Sequence, residues 1–252
     1  MTTPVKKSAA KKPARKSVSA KSVSAKYNPL APERVQAILE ILKRSYPNAR
    51  CALHHENAWQ LLVATILSAQ CTDVQVNLVT PALFKRYPTP AALAKVEPEE
   101  VEPLIRTTGF FRNKAKNIVG AARKIVDEFG GKVPEQMDEL ISLPGVARKT
   151  ANVVLGSWFG QGVGIVVDTH VLRISRRLEL TTADDPGRIE QDLMKVIPKA
   201  KWIDFAHEII LHGRALCTAR APKCAECPLE KLCHAADKTW STVEQHKLAK
   251  GK

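Results

Sequence analysis

Four cysteines, Cys217, Cys224, Cys227 and Cys233, fall within seventeen residues in the spacing C-x6-C-x2-C-x5-C. Four thiolates on one short loop suit a tetrahedral zinc ion or an iron–sulfur cluster, and such a group fixes the path of the loop that carries it. Zinc ribbons use two close cysteine pairs separated by a longer insert, whereas this loop has one close pair, Cys224 and Cys227. The N-terminus lacks the hydrophobic core of a secretory signal, and no apolar run is long enough to span a bilayer, so a disulfide framework is not expected. Cys51 and Cys71 are left over and read as ordinary reduced thiols.

A second stretch, Leu140 to Arg173, combines a Pro-Gly turn (Pro144-Gly145), a lysine on the first turn of an apolar helix (Lys149) and an aspartate opening the next helix (Asp168). A glycine-bearing turn that leads into a helix presents free N–H groups and a positive dipole end, which suits a phosphate oxygen. The charge agrees with a polyanionic partner. The chain carries a formal +14, and residues 1–26 hold seven Lys and one Arg with no acid, which leaves 14 − 8 = +6 on the remainder. That leading segment contains a tandem SVSAK repeat and no aromatic residue. It reads as a disordered basic tail, either a solubilising arm or a DNA tether whose contribution fades with salt; a transit peptide is a third reading.

Between these features the pattern is helical throughout. Val35, Ile38, Leu39 and Leu42 follow Pro32 at helical spacing. Ala58 to Gln70 is apolar nearly all round, which predicts a central helix, and Asp73 reads as the cap of a helix beginning at Val74. Helices are expected after Thr89-Pro90 and at Pro98, with Gly109 left-handed at the end of the second. Phe110 to Lys114 reads as an exposed loop with two aromatics beside two cations. Further helices are expected over Lys116–Phe129, over Met137–Leu143, after Asp168, after Asp185-Pro186, and over Trp202–His212. Ile165 to Val167 is the only strand-like run, so the expected fold class is all-α.

Taken together, LPGVARKTANVVL (143–155), VDTH (167–170) and the four-cysteine loop resemble the endonuclease III family of helix-hairpin-helix DNA glycosylases. The resemblance extends to LLVATILSAQCTDVQVN (61–77), TTGFFRNKAKNI (107–118) and ILHGRALC (210–217), and it covers the chain from about Tyr27. It implies a two-lobed fold: a central helical domain at 51–162, and a second lobe from 27–50 and 163–252 that carries a [4Fe–4S] cluster on 217–233. DNA would lie in the cleft between them.

The family's catalytic lysine and aspartate fall on Lys149 and Asp168. Gln70 falls on the residue that fills the space of an extruded base, Phe110 on the wedge against the opposite strand, and Asp73 on a polar residue of the active site. Gly145, Ala147, Arg148 and His170 complete the residues expected to meet DNA. The family's hairpin reads Gly-Val-Gly, and Ala147 replaces its second glycine, so a methyl group bears on the turn or on its phosphate.

The implied activity is excision of oxidised pyrimidines from double-stranded DNA, with cleavage 3′ to abasic sites by β-elimination. A lysine at position 149 predicts the lyase step, because an amine that attacks C1′ forms a Schiff base. Adenine or mismatch glycosylases of the same superfamily lack that lysine and are the nearest alternative; a non-catalytic DNA-binding protein is the other. The implied protein is a monomer that binds damaged or abasic duplex DNA and no membrane. Its expected place is inside the cell with DNA: cytoplasm or nucleoid in a bacterium, nucleus or mitochondrion in a eukaryote.

Overall fold

A computed structural model describes residues 27–239. The basic tail at 1–26 lies outside the described residues. Eleven α-helices make up the described chain: α1 Pro32–Ser45, α2 Ala58–Leu67, α3 Asp73–Arg86, α4 Pro90–Ala94, α5 Pro98–Ile105, α6 Phe111–Phe129, α7 Met137–Ile141, α8 Arg148–Ser157, α9 Thr169–Arg177, α10 Pro186–Val196 and α11 Trp202–Ala215. Prolines open α1, α4, α5 and α10 where a missing N–H costs nothing. Side chains of Asn57, Thr89, Asp168 and Asp185 cap α2, α4, α9 and α10.

The buried apolar residues form two cores. One draws on residues from Leu53 to Leu155 and is centred on α2, where Leu61, Leu62, Val63 and Ala64 are fully enclosed. The other joins Val35, Ile38, Leu39 and Leu42 of α1 to residues from Ile165 to Leu229 on α9, α10 and α11. The chain therefore leaves its first core after α8 and returns to helix α1, and the two-lobed all-α architecture follows from that path.

The described residues contain no strand. Ile165 and Val167 have strand-like character because they are buried in the second core, and a single run with no neighbour to pair with cannot form a sheet. Other expectations shift by a few residues. Helix α2 stops at Leu67, short of Gln70, which has a positive φ of 52°. Thr72, not Asp73, caps α3: its hydroxyl accepts from the Gln75 amide, and Asp73 is the first helical residue. Gly109 has φ 71° and ψ 153°, outside the left-handed helical region, and Phe110 takes that region instead at φ 46°, ψ 29°. Helix α6 begins at once, at Phe111, so the loop expected up to Lys114 is its first turn. Lys114 is buried there and its Nζ donates to the Thr108 carbonyl at 2.7 Å, which removes it from the exposed cations.

Candidate active site and cluster loop

Helices α7 and α8 and the turn between them form the hairpin, and it rests on α6. Gly145 sits at φ 76°, where a β-carbon would stand 2.8 Å from Asn117 Cβ. Both the left-handed backbone and the close approach of α6 demand glycine. Ala147, two residues on, is extended at φ −96°, ψ 170°, a conformation open to any residue, so its methyl group does not strain the turn. No side chain caps α8, so the first amides of this ten-residue helix have no side-chain partner, which suits an anion.

Arg148 and Lys149 are the first two residues of α8 and part ways. The Arg148 guanidinium forks onto Glu190 of α10, at 2.8 and 3.1 Å, and Glu190 also accepts from Asn152 Nδ2 at 2.9 Å. Glu190 is buried, and the pairing raises the Arg148 pKa above its ordinary value. Arg148 thus ties the hairpin to the second core, a partner the sequence did not announce.

Lys149 is exposed and lines a cleft together with Asp168. The cleft holds about 130 Å³, and its walls include Leu53, Val153, Val166, Ile210 and Leu211. Asp168 is the N-cap of α9: its Oδ1 accepts from the amides of His170 and Val171, both at 2.8 Å, which fixes the carboxylate in place.

Asp73, at the start of α3, lines the same cleft and accepts a 2.6 Å bond from Arg214 in the last turn of α11. Arg214 thus faces the cleft, three residues before the first cysteine of the loop. His170 turns away toward α11, with Nδ1 3.1 Å from Arg173 Nη2, and a β-carbon on Gly213 would meet its ring at 2.5 Å. Burial lowers the His170 pKa, aided by Arg173 and Arg214 and opposed by Asp168.

Gln70 and Phe110 stand outside the cleft lining, and the structure gives them one property in common. Both are non-glycine residues with positive φ, 52° and 46°, and both are exposed, Phe110 at 65%. Large side chains held in the left-handed region and presented to solvent are a sign of function, because that conformation costs energy and burial returns none of it here.

The four cysteines line one pocket with Ile174, Leu178, Leu216 and Leu229. Arg177 Nη1 donates to Cys217 Sγ at 3.2 Å and to the Thr218 carbonyl at 2.7 Å, and Arg173 Nη2 donates to the Cys217 carbonyl at 2.8 Å. Burial pushes the Cys227 thiol up to about 11 and raises Cys233 as well. Four thiols in an apolar pocket, with N–H donors onto a sulfur, fit an iron–sulfur cluster. Arg220, Lys223 and Lys231 of the loop are exposed.

Residues 63–199 match the model of the HhH-GPD superfamily of base excision DNA repair proteins, and residues 217–233 match the iron–sulfur binding domain of endonuclease III. Endonuclease III of Synechocystis sp. is 62% identical over 204 residues, which cover 81% of this chain and 93% of the relative. The chain belongs to the endonuclease III family.

Endonuclease III of Escherichia coli K12 is 40% identical, over 80% of this chain and 95% of its own length. A solved structure described as a trapped endonuclease III–DNA covalent intermediate, an estranged-adenine complex, superposes with a TM-score of 0.77 at 45% identity. It covers 81% of this chain and 96% of that one. Residues 217–233 are thus the segment that holds a [4Fe–4S] cluster, and Cys217, Cys224, Cys227 and Cys233 all fall within it. No helix among the described residues is long and apolar enough to cross a membrane.

Several cleft residues escaped the sequence reading, His207 among them. His207 of α11 lines the cleft beside Lys149 and Asp168, with Nε2 3.3 Å from Ser157 Oγ. The signal was present as a stripe: Ala206, His207, Ile210, Leu211 and Arg214 share one face of α11, and all five line the cleft.

Proposed function

We propose that this chain is a bifunctional DNA glycosylase and abasic-site lyase that removes oxidised or saturated pyrimidines from double-stranded DNA. The observation that carries the reading is that Lys149 and Asp168, at the starts of α8 and α9, line one cleft beside an uncapped helix terminus. A damaged base inside a duplex is out of reach, so the nucleotide leaves the stack and enters the cleft. Gln70 fills the gap it leaves, and Phe110 wedges against the opposite strand. The hairpin amides hold a phosphate and set the register.

Lys149 attacks C1′ as a neutral amine. It is exposed in the free protein, and bound DNA would cover it in the reacting complex. The Asp168 carboxylate stabilises the positive charge on the sugar as the C1′–N bond breaks and the base leaves, protonated from solvent; the proton that the attached amine then loses passes to Asp168. The sugar opens to a Schiff base, which acidifies the C2′ hydrogens. Loss of one of them expels the 3′ phosphate by β-elimination. Cys217, Cys224, Cys227 and Cys233 would hold the cluster, which would order the loop that carries the exposed Arg220, Lys223 and Lys231, cations suited to a DNA backbone.

The division into a 51–162 lobe and a second lobe from 27–50 and 163–252 is part of this reading and is supported by the two apolar cores. A protein with this activity works inside the cell, where DNA is. The test is a duplex with a single thymine glycol. Base release with cleavage on the 3′ side is expected; base release alone marks a monofunctional glycosylase, and an intact strand marks a binding protein.

A further inference from the structure

Most polar side chains of the cleft already have work. Thr65 Oγ1 and Ser68 Oγ donate back to the carbonyls of Leu61 and Thr65, at 2.7 and 2.8 Å. Asp73 holds Arg214, and Asp168 Oδ1 holds two amides of α9. Lys149 serves the reaction. The Arg50 guanidinium and the His207 imidazole are left; Arg50 is exposed, and the imidazole is half-buried.

Its Nε2 faces the Ser157 hydroxyl at 3.3 Å, and its Nδ1 has no hydrogen-bond partner among the described residues. Burial lowers the His207 pKa, with Asp204 opposing, which favours the neutral ring. A hydroxyl that donates to Nε2 leaves the hydrogen on Nδ1, which makes that nitrogen a donor. Val153, Val166, Ile210 and Leu211 line the cleft around it and suit the faces of a flat ring.

We propose that His207 is a specificity-determining residue that reads the extruded base, its Nδ1–H donating to a ring carbonyl oxygen in the tautomer whose Nε2 accepts from the Ser157 hydroxyl. Pyrimidines, intact, oxidised or ring-saturated, keep the carbonyl at C2, so the donor recognises the pyrimidine class and leaves the damage itself to other contacts. An abasic sugar has no such oxygen and does not use the contact. This inference rests on the assignment of Lys149 and Asp168 as the reacting pair.

The test compares two duplexes, one with a thymine glycol and one with a preformed abasic site, on the full-length, cluster-loaded protein under single-turnover conditions. His207→Ala is expected to slow base release on the order of tenfold, the value of one lost hydrogen bond, while cleavage at the abasic site stays within about twofold. His207→Asn, whose amide nitrogen stands near the position of Nδ1, is expected to recover most of the loss. A fall shared equally by the two substrates, or no change on either, overturns the proposal. Wild-type protein that fails to form a borohydride-trapped adduct on the abasic duplex overturns the Lys149 assignment and this inference with it.

Discussion

Arg214 donates to the Asp73 carboxylate at 2.6 Å and so joins the last turn of α11 to the first turn of α3 across the cleft that Lys149 and Asp168 line. Both side chains are partly exposed, 46% and 24%, so the pair contributes less than about 1 kcal/mol to stability. Its position gives it a larger part in function. Asp73→Asn keeps the shape and removes the charge that holds Arg214. We expect base excision to slow by about tenfold, with a melting temperature within a few degrees of wild type. Single-turnover excision and a thermal melt check this; unchanged excision would leave Asp73 as no more than an acid on the first turn of a helix.

The hairpin makes opposite predictions for its two small residues. Gly145→Ala places a methyl group 2.8 Å from Asn117 Cβ at φ 76°, a combined strain and overlap of about 1–3 kcal/mol. It should lower both the melting temperature and DNA affinity. Ala147→Gly relieves no strain at φ −96°, and glycine is the better N-cap, so stability should hold or rise by up to about 1 kcal/mol. Parallel melts and binding titrations on the two variants check the contrast. An Ala147→Gly variant that bound DNA many-fold more tightly would show that the methyl does obstruct the phosphate.

Glu208 supplies a pH dependence separate from catalysis. It is buried on α11, and burial, with Asp204 adding, raises its pKa from the usual 4.5 to about 7, against Lys201 and Lys43. The folded chain therefore holds a proton that the unfolded chain releases, and this contribution to stability falls as pH rises from about 4.5 to about 7. Above that interval the penalty is constant. Glu208→Gln removes it, so the variant should exceed wild type by on the order of 2 kcal/mol at pH 8, and the gap should close by pH 5. Denaturant unfolding at the two pH values measures it, and a gap that widens at pH 5 would contradict the sign.

Much of the fold could be read from helix ends. Pro32, Thr89, Pro98, Asp168 and Asp185-Pro186 each open a helix where their chemistry says they should. Misreadings arose where two neighbours could do the same job. Thr72 and Asp73 are both good caps, and only the hydrogen bond to Gln75 shows which one caps. Gly109 was the natural left-handed residue, yet Phe110 occupies that region, because local propensity carries no information about a side chain that must be presented. The cysteine spacing and the Lys149–Asp168 pair were legible because ligand and hairpin chemistry is local in sequence. Arg148–Glu190, Asp73–Arg214 and the placing of His207 were not, since each joins residues 42 to 141 positions apart or depends on which face of α11 meets the cleft.

The central claim is that Lys149 is the nucleophile. Borohydride reduction of the protein on a duplex with an abasic site or thymine glycol converts a Schiff base into a stable adduct, and the adduct can be counted on a denaturing gel. Wild type should trap, and Lys149→Ala should form none. Asp168→Asn should still bind DNA, with trapping slowed by on the order of a hundredfold or more. Trapping of Lys149→Ala at the wild-type level would contradict the account.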